Sequence, residues 1–368
     1  MKGLYIHIPF CHKICSYCDF VKRIPKSKES IDDYLRKLVE EITLYQSEFD
    51  SIETIYIGGG TPSLLDIDQL TYLFESLKSI RPIEYTIEIN PETYTHEKGK
   101  LFKKYGLNRF SLGVETFDDS LLKVLKRSHT NEDVYNTINS LISIGLSNIN
   151  IDMMYATPGQ TLEMLELDLS KLIELNPIHV SYYSLIYEEH TYLYYKYKRN
   201  QLDVVDNDIE AIMYGRVIDE LKYNGYNHYE ISNFSKDGYE SKHNLIYWTL
   251  GEYIGVGLGA SGFFNNVRTL NTANMNLYLD NKFIMNSTPQ IDEFLLEDEM
   301  IFGLRKIDGV NIEYINNKYN INVVEKYSEL TNLIEEGLVE IDQGYLKLTR
   351  KGIFFGNRVF MVFLCDSY

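Results

Sequence analysis

Cysteine is nearly absent from this chain: four residues in 368, three of them packed between positions 11 and 18. That scarcity excludes a disulfide framework, and in a reducing compartment the clustering favours metal over a bridge. Also missing is any run approaching the roughly 18 uninterrupted apolar residues that span a bilayer. The opening residues, MKGLYIHIPFC, lack the apolar stretch and small-residue cleavage site of a secretory signal. The expectation is a soluble cytoplasmic protein with no stable membrane insertion. Basic residues are the next shortage. Thirty-six Lys and Arg stand against 53 Asp and Glu, a formal charge of −17. A surface so negative repels phosphate backbones, which excludes nucleic acid as a general partner. Proline is scarce and tyrosine plentiful, 8 against 31, a compositional bias without mechanistic content. No solenoid repeat and no low-complexity linker interrupts the sequence.

What is present is an alternation. Short β-rich runs at 4–8, 54–57, 85–89, 109–112, 149–153 and 180–185 are separated by segments with helical periodicity at 31–45, 68–79, 97–105, 131–144 and 162–174. Gly106, Gly145 and the Asn176-Pro177 pair punctuate the joins. Strands and helices alternating at roughly thirty-residue intervals predict a parallel α/β sheet, here a partial barrel of six units. In such barrels chemistry gathers where the strands end. The chemically suggestive residues lie there: the cysteines after the first strand, Gly58 to Thr61 after the second, Glu88 and Asn90 at the third, Glu115 after the fourth, Asp152 at the fifth.

Beyond about residue 205 the pattern changes. A helix is expected from Asp208 to Tyr223, then a Gly- and aromatic-rich stretch from His243 to Phe264. Helices then lead into the hairpin GLVEIDQGYLKLTRKG, with Gln343-Gly344 near its turn. This end reads as a smaller α+β, winged-helix-like domain. The expected division is 1–205 for the barrel, 206–290 for a connecting region, and 291–368 for the C-terminal domain.

The cysteine spacing is C-x3-C-x2-C, at Cys11, Cys15 and Cys18. Thiolates suit iron–sulfur clusters or zinc. Three on one tight loop serve three irons of a [4Fe–4S] cube and leave the fourth without a protein ligand. Open coordination is what catalytic metal sites keep for a ligand. S-adenosylmethionine (SAM) fits there through its amino and carboxylate groups, and electron transfer then cleaves its sulfonium to a carbon radical. The alternative is a structural zinc site with His7 or His12 as fourth ligand. Cys365 carries no expected role.

Other strand-end residues are candidates for the same cofactor. Ile57-Gly58-Gly59-Gly60-Thr61-Pro62 offers backbone that a ligand can approach closely, or forms only a tight strand-to-helix turn. Glu88, Glu115 and Asp152 offer acceptors to an ammonium or a ribose, and Arg127 a partner for a carboxylate; each is otherwise a solvated charge. Tyr5 and Tyr17 flank the cluster, with packing as their simplest role.

The blocks LYIHIPFCHKICSYCDF, IYIGGGTPSLL, EINPET, FSLGVETFDDSLLKVLKRSHT, DMMYATPGQT, YYSLIYEEHT, YEISNFSK, HNLIYW and LTRKGIFFGNRVF resemble, in order, the coproporphyrinogen dehydrogenase-like branch of the radical SAM superfamily. The resemblance implies a partial (β/α)6 radical SAM barrel. It also implies SAM contacts at Tyr5, Tyr17, Gly60, Thr61, Glu88, Glu115, Arg127, Asp152 and Ile186. Two subfamilies separate here. The dehydrogenases carry an N-terminal extension and a fourth Cys two positions after the third; this chain begins its cluster at Cys11 and has Phe20 at that position. His243-Asn244-Leu245-Ile246-Tyr247-Trp248 matches the H-N-x-x-Y-W signature of the HemW heme chaperones.

That likeness implies a protein that binds heme, with His243 touching it, and delivers it to hemoproteins of respiration. Histidine is a natural axial ligand, and Tyr and Trp offer flat apolar surface; otherwise His243 hydrogen-bonds the barrel and Trp248 is core. One departure stands out: Glu115 occupies the place where the family usually has Gln, an added negative charge at the SAM site. The alternatives are an oxygen-independent coproporphyrinogen III dehydrogenase and a nucleic-acid binder using the winged-helix-like end.

Overall fold

The strands carry apolar residues at every second position: Ile55 and Ile57, Ile87 and Ile89, Phe110 and Leu112, Ile149 and Ile151, Val180 and Tyr182, all buried. A period of two turns them to one face of a sheet. There they form a single core with helix residues such as Leu35, Leu38, Leu70, Phe102, Leu141 and Leu169. The alternate positions, including Tyr56, Arg109, Ser111, Asn150, Asp152 and Ser181, face the opposite side and line its interior.

The computed structural model describes residues 1–364; Cys365 lies outside the described residues. Six strands run parallel in sequence order: β1 (Lys2–Ile8), β2 (Thr54–Gly59), β3 (Glu84–Ile89), β4 (Arg109–Glu115), β5 (Ile149–Tyr155) and β6 (His179–Ser184). The intervening helices start at side-chain caps. Ser27, Asp66 and Thr130 each form a capping box, which satisfies backbone N–H groups that the first turn leaves free. Gly106 and Gly145 then take positive φ just past two helix ends, where a side chain would be strained. The α/β partial-barrel expectation holds.

The sheet is larger than six strands. It has twelve among the described residues, extended at one edge by β7 (Asn227–Glu230) and β8 (Asn233–Ser235). At the other edge stand β9 (Glu252–Val256), β10 (Ser261–Phe264), β11 (Val267–Asn271) and β12 (Ile284–Pro289). The expected connecting region 206–290 is therefore built into the barrel: β9 pairs in parallel with β1, from Lys2 opposite Glu252 to Ile6 opposite Val256. Met213, Val217, Leu221, Ile254 and Val256 join the same core. Its glycines read as loop but serve close packing. A Cβ on Gly255 would stand 1.9 Å from the Ser261 carbonyl oxygen, so only glycine lets β9 and β10 approach.

The C-terminal part has its own core of Leu296, Met300, Ile315, Leu333, Leu346 and Phe363, among others. Its three-stranded sheet includes the expected hairpin, Val339–Asp342 with Tyr345–Leu348. Gln343 and Gly344 both have positive φ, 49° and 84°, as a two-residue hairpin turn requires. Among the described residues no helix is long and apolar enough to cross a membrane.

Candidate cofactor site and aromatic cleft

The cysteine loop leaves β1 and is tied down on both flanks. Cys11 N–H donates to the Arg23 carbonyl at 3.1 Å, and Ser16 N–H to the Leu125 carbonyl at 3.0 Å. Cys11, Cys15 and Cys18 are free thiols that line one pocket with Gly59, Gly60, Thr61, Glu88, Glu115, Arg127 and Asp152. The Thr61 hydroxyl lies 3.5 Å from Cys11 Sγ and Arg127 Nη1 3.8 Å from Cys15 Sγ. Burial raises the Cys11 thiol and pushes Cys18 up to about 11, so metal binding would release protons here. Among the described residues no three His, Cys, Asp or Glu side chains close on a single metal ion. Three thiols facing one pocket fit a cube whose irons each take one. The zinc alternative also loses one of its two histidines. His7 is held by Tyr5 OH and the Val21 carbonyl, whereas His12 is exposed and lines an adjoining pocket with Cys15.

The acidic residues are fixed rather than solvated. Glu88 accepts from Tyr56 OH at 2.9 Å and from Gly59 N–H at 3.0 Å, and burial lifts it to about 7. The glycine run has a steric reason: a Cβ on Gly58 would stand 2.8 Å from Glu88 Oε1, and one on Gly60 2.8 Å from the Ile8 carbonyl oxygen. Asp152 accepts from Ser111 Oγ at 2.9 Å and Asn150 Nδ2 at 2.7 Å. Glu115 ends β4 at φ 68°, accepts from Tyr183 OH at 2.8 Å, and faces Arg127 Nη1 at 3.9 Å. Arg127 also donates to Asn90 Oδ1 and the Gly113 carbonyl. The extra charge at Glu115 is therefore met by a buried guanidinium, although burial still raises its carboxyl.

Three expected residues fall elsewhere. Ile186 is 67% exposed and outside the pocket lining. Tyr5 lines a neighbouring cleft rather than the cluster pocket. His243 is fully buried at the start of β1–β3, the end opposite the cysteines. Its N–H donates to Glu84 Oε1, its Nδ1 lies 2.7 Å from the Thr54 hydroxyl, and its Nε2 lies 2.8 Å from Tyr247 OH. Burial pushes it down to about 3. Both ring nitrogens are occupied, and His243 stands behind Tyr247 as its brace rather than in the cleft lining.

The rest of the H-N-x-x-Y-W block reaches open space. Tyr247 and Trp248 line a cleft of about 450 Å³ with Tyr5, Phe20, Tyr253, Phe263, Arg268 and Phe302. Phe20 also lines the cluster pocket and is 67% exposed. The sequence named Tyr5, Tyr247 and Trp248 for other reasons but did not bring this aromatic lining together, because it comes from segments far apart in the chain. The aromatic content of 243–264 was the only local signal.

Residues 5–172 match the model of the radical SAM superfamily, and residues 293–355 that of the HemN C-terminal domain. The heme chaperone HemW of Lactococcus lactis is 41% identical over 100% of this chain and 98% of its own length. Those of Bacillus subtilis and Escherichia coli are 38% and 31% identical, each over 99% of this chain and 99% and 98% of their own. In fold, the chain is similar to the radical SAM enzyme coproporphyrinogen III oxidase (HemN) of Escherichia coli, with a TM-score of 0.86 and 22% identity over 100% of this chain and 90% of that one. On full-length identity to these relatives, the chain belongs to the HemW heme chaperone family within the radical SAM superfamily.

Proposed function

We propose that this protein is a heme carrier: it binds a [4Fe–4S] cluster through Cys11, Cys15 and Cys18, SAM beside it, and heme in the aromatic cleft, and it hands heme to recipient hemoproteins. The observation that carries the heme part is the cleft itself. Its apolar, aromatic walls adjoin the cluster loop through Phe20, and they contain the Tyr and Trp of the family block. Flat aromatic surface of this kind suits a macrocycle.

When bound, cluster and SAM supply a reductively cleavable sulfonium. The chain's own residues do the holding. Glu88 and Asp152 offer carboxylate oxygens to an ammonium and a ribose, Arg127 balances Glu115, and Gly60 and Thr61 admit a ligand against the backbone. Carboxylate-to-ammonium bonds of this kind are among the stronger polar contacts. Tyr17 lies on the same wall.

Titrating heme into anaerobically reconstituted protein, then mixing with an apo-hemoprotein, tests the reading. A saturable Soret band that moves to the acceptor is expected. No heme uptake, or conversion of added coproporphyrinogen III to protoporphyrinogen in the presence of SAM and reductant, would overturn the carrier reading.

A further inference from the structure

Toward the start of the strands, the barrel interior holds a second, polar cavity of about 290 Å³. It shares Ser111, Asp152 and Tyr183 with the cluster pocket and Trp248 with the aromatic cleft. Trp248 is thus a wall common to cleft and chamber. Two arginines enter the chamber, Arg109 from β4 and Arg305 from the C-terminal domain. Arg109 is only 2% exposed, and Nε of each is buried without a hydrogen-bond partner. Arg305 lies over the Trp248 ring, 4.4 Å from its centre, and Trp248 Nε1 is also unpartnered.

The local carboxylates Glu230 and Asp152 feel the charge of Arg305 and Arg109, but among the described residues neither forms a direct ion pair with them. Asp152 is taken by Ser111 and Asn150, and Glu230 Oε1 by Ser232 N–H and Asn233 Nδ2, while Glu230 Oε2 is buried without a hydrogen-bond partner. Arg127, Arg216, Arg268 and Arg350 each pair with a carboxylate, whereas Arg109 and Arg305 pair with none among the described residues. Arg268, the cleft's own cation, is already committed to Asp298. Burying unpaired guanidinium groups is costly, and a planar fork of donors matches a carboxylate.

We propose that this chamber is a carboxylate subsite, in which Arg305 and Arg109 hold a propionate arm of the tetrapyrrole seated in the cleft on the other side of Trp248. The inference rests on the heme-carrier reading and extends it from a flat apolar seat to a fixed orientation. The same chemistry would also take a free small carboxylate, and the test separates the two sources.

Heme and heme dimethyl ester, which lacks the carboxylates, are titrated into reconstituted protein and into Arg305→Gln. Arg305 is only half-buried; Arg109→Gln serves as a second variant, with thermal melts to confirm folding. The native protein should prefer heme over the ester by about tenfold, the worth of a charge-assisted pair. Arg305→Gln should erase the preference by weakening heme and leaving the ester unchanged, and Arg305→Lys should restore part of it. Equal binding of heme and ester by the native protein overturns the subsite while leaving the carrier reading intact. Binding of neither overturns the carrier reading itself. Succinate that binds in the chamber and fails to compete with heme would assign the arginines to a free carboxylate, and overturn the propionate assignment.

Discussion

The cluster pocket and the aromatic cleft are neighbours that share Phe20 and are built on opposite principles. In the pocket, the acidic side chains are held on the strands by hydrogen bonds: Glu88 by Tyr56 and Gly59, Asp152 by Ser111 and Asn150, Glu115 by Tyr183. In the cleft the walls are rings, and the single arginine is neutralised by Asp298. Fixed polar groups choose a small charged cofactor by position, because each is already oriented before binding. Aromatic walls accept a large flat ligand by area and shape. One chain can therefore hold two unlike ligands side by side without either competing for the other's contacts.

The sharpest break between the two regions is Cys15→Ala. It should abolish the iron–sulfur absorbance after reconstitution while leaving heme uptake by the cleft in place. Iron content equal to that of the native protein would overturn the cluster assignment. Next in size is Arg127→Leu, which strands Glu115 without its buried partner. The metal-free protein should lose about 3 kcal/mol in denaturant unfolding, and Glu115→Gln in the same chain should recover most of it. No loss would mean that Arg127 does not balance Glu115.

The smallest effect concerns Glu88. Burial lifts this carboxyl to about 7, while in the unfolded chain it ionises near ~4.3. Between those values the folded protein keeps a proton that the unfolded chain has released. Its share of stability is therefore full at low pH and is lost as pH rises through 7. Melting of the metal-free protein between pH 5 and 8 should show a decline that Glu88→Gln makes shallower. Identical pH profiles would show that Glu88 titrates normally.

Much of the pocket was legible because its residues follow the period-two pattern of parallel strands. Glu88 and Glu115 stand at strand ends, Asp152 lies mid-strand in a β5 that runs two residues past its expected end, and the C-x3-C-x2-C loop is contiguous. The chamber arginine Arg109 obeys the same alternation but begins its strand rather than ending it, so it drew no notice. The cleft was less legible because Phe20, Tyr253, Phe263 and Phe302 meet only after β9 has paired with β1. That pairing was hidden by glycines which look like loop and are in fact needed for close strand contact. His243 shows the remaining gap. A motif names the residues that stay together, but not which of them faces the ligand. Burial and two occupied ring nitrogens set His243 behind Tyr247 here.

The claim that heme sits on the ring-lined cleft, with His243 behind it, is tested most directly by comparing heme titrations of Trp248→Ala and His243→Ala against the native protein. Trp248→Ala should weaken binding about tenfold or more, consistent with losing a large buried ring. His243→Ala should weaken it less and leave the Soret position unchanged, since it removes only the brace on Tyr247. A shifted Soret band or abolished binding in His243→Ala, with Trp248→Ala indistinguishable from native, would contradict the account.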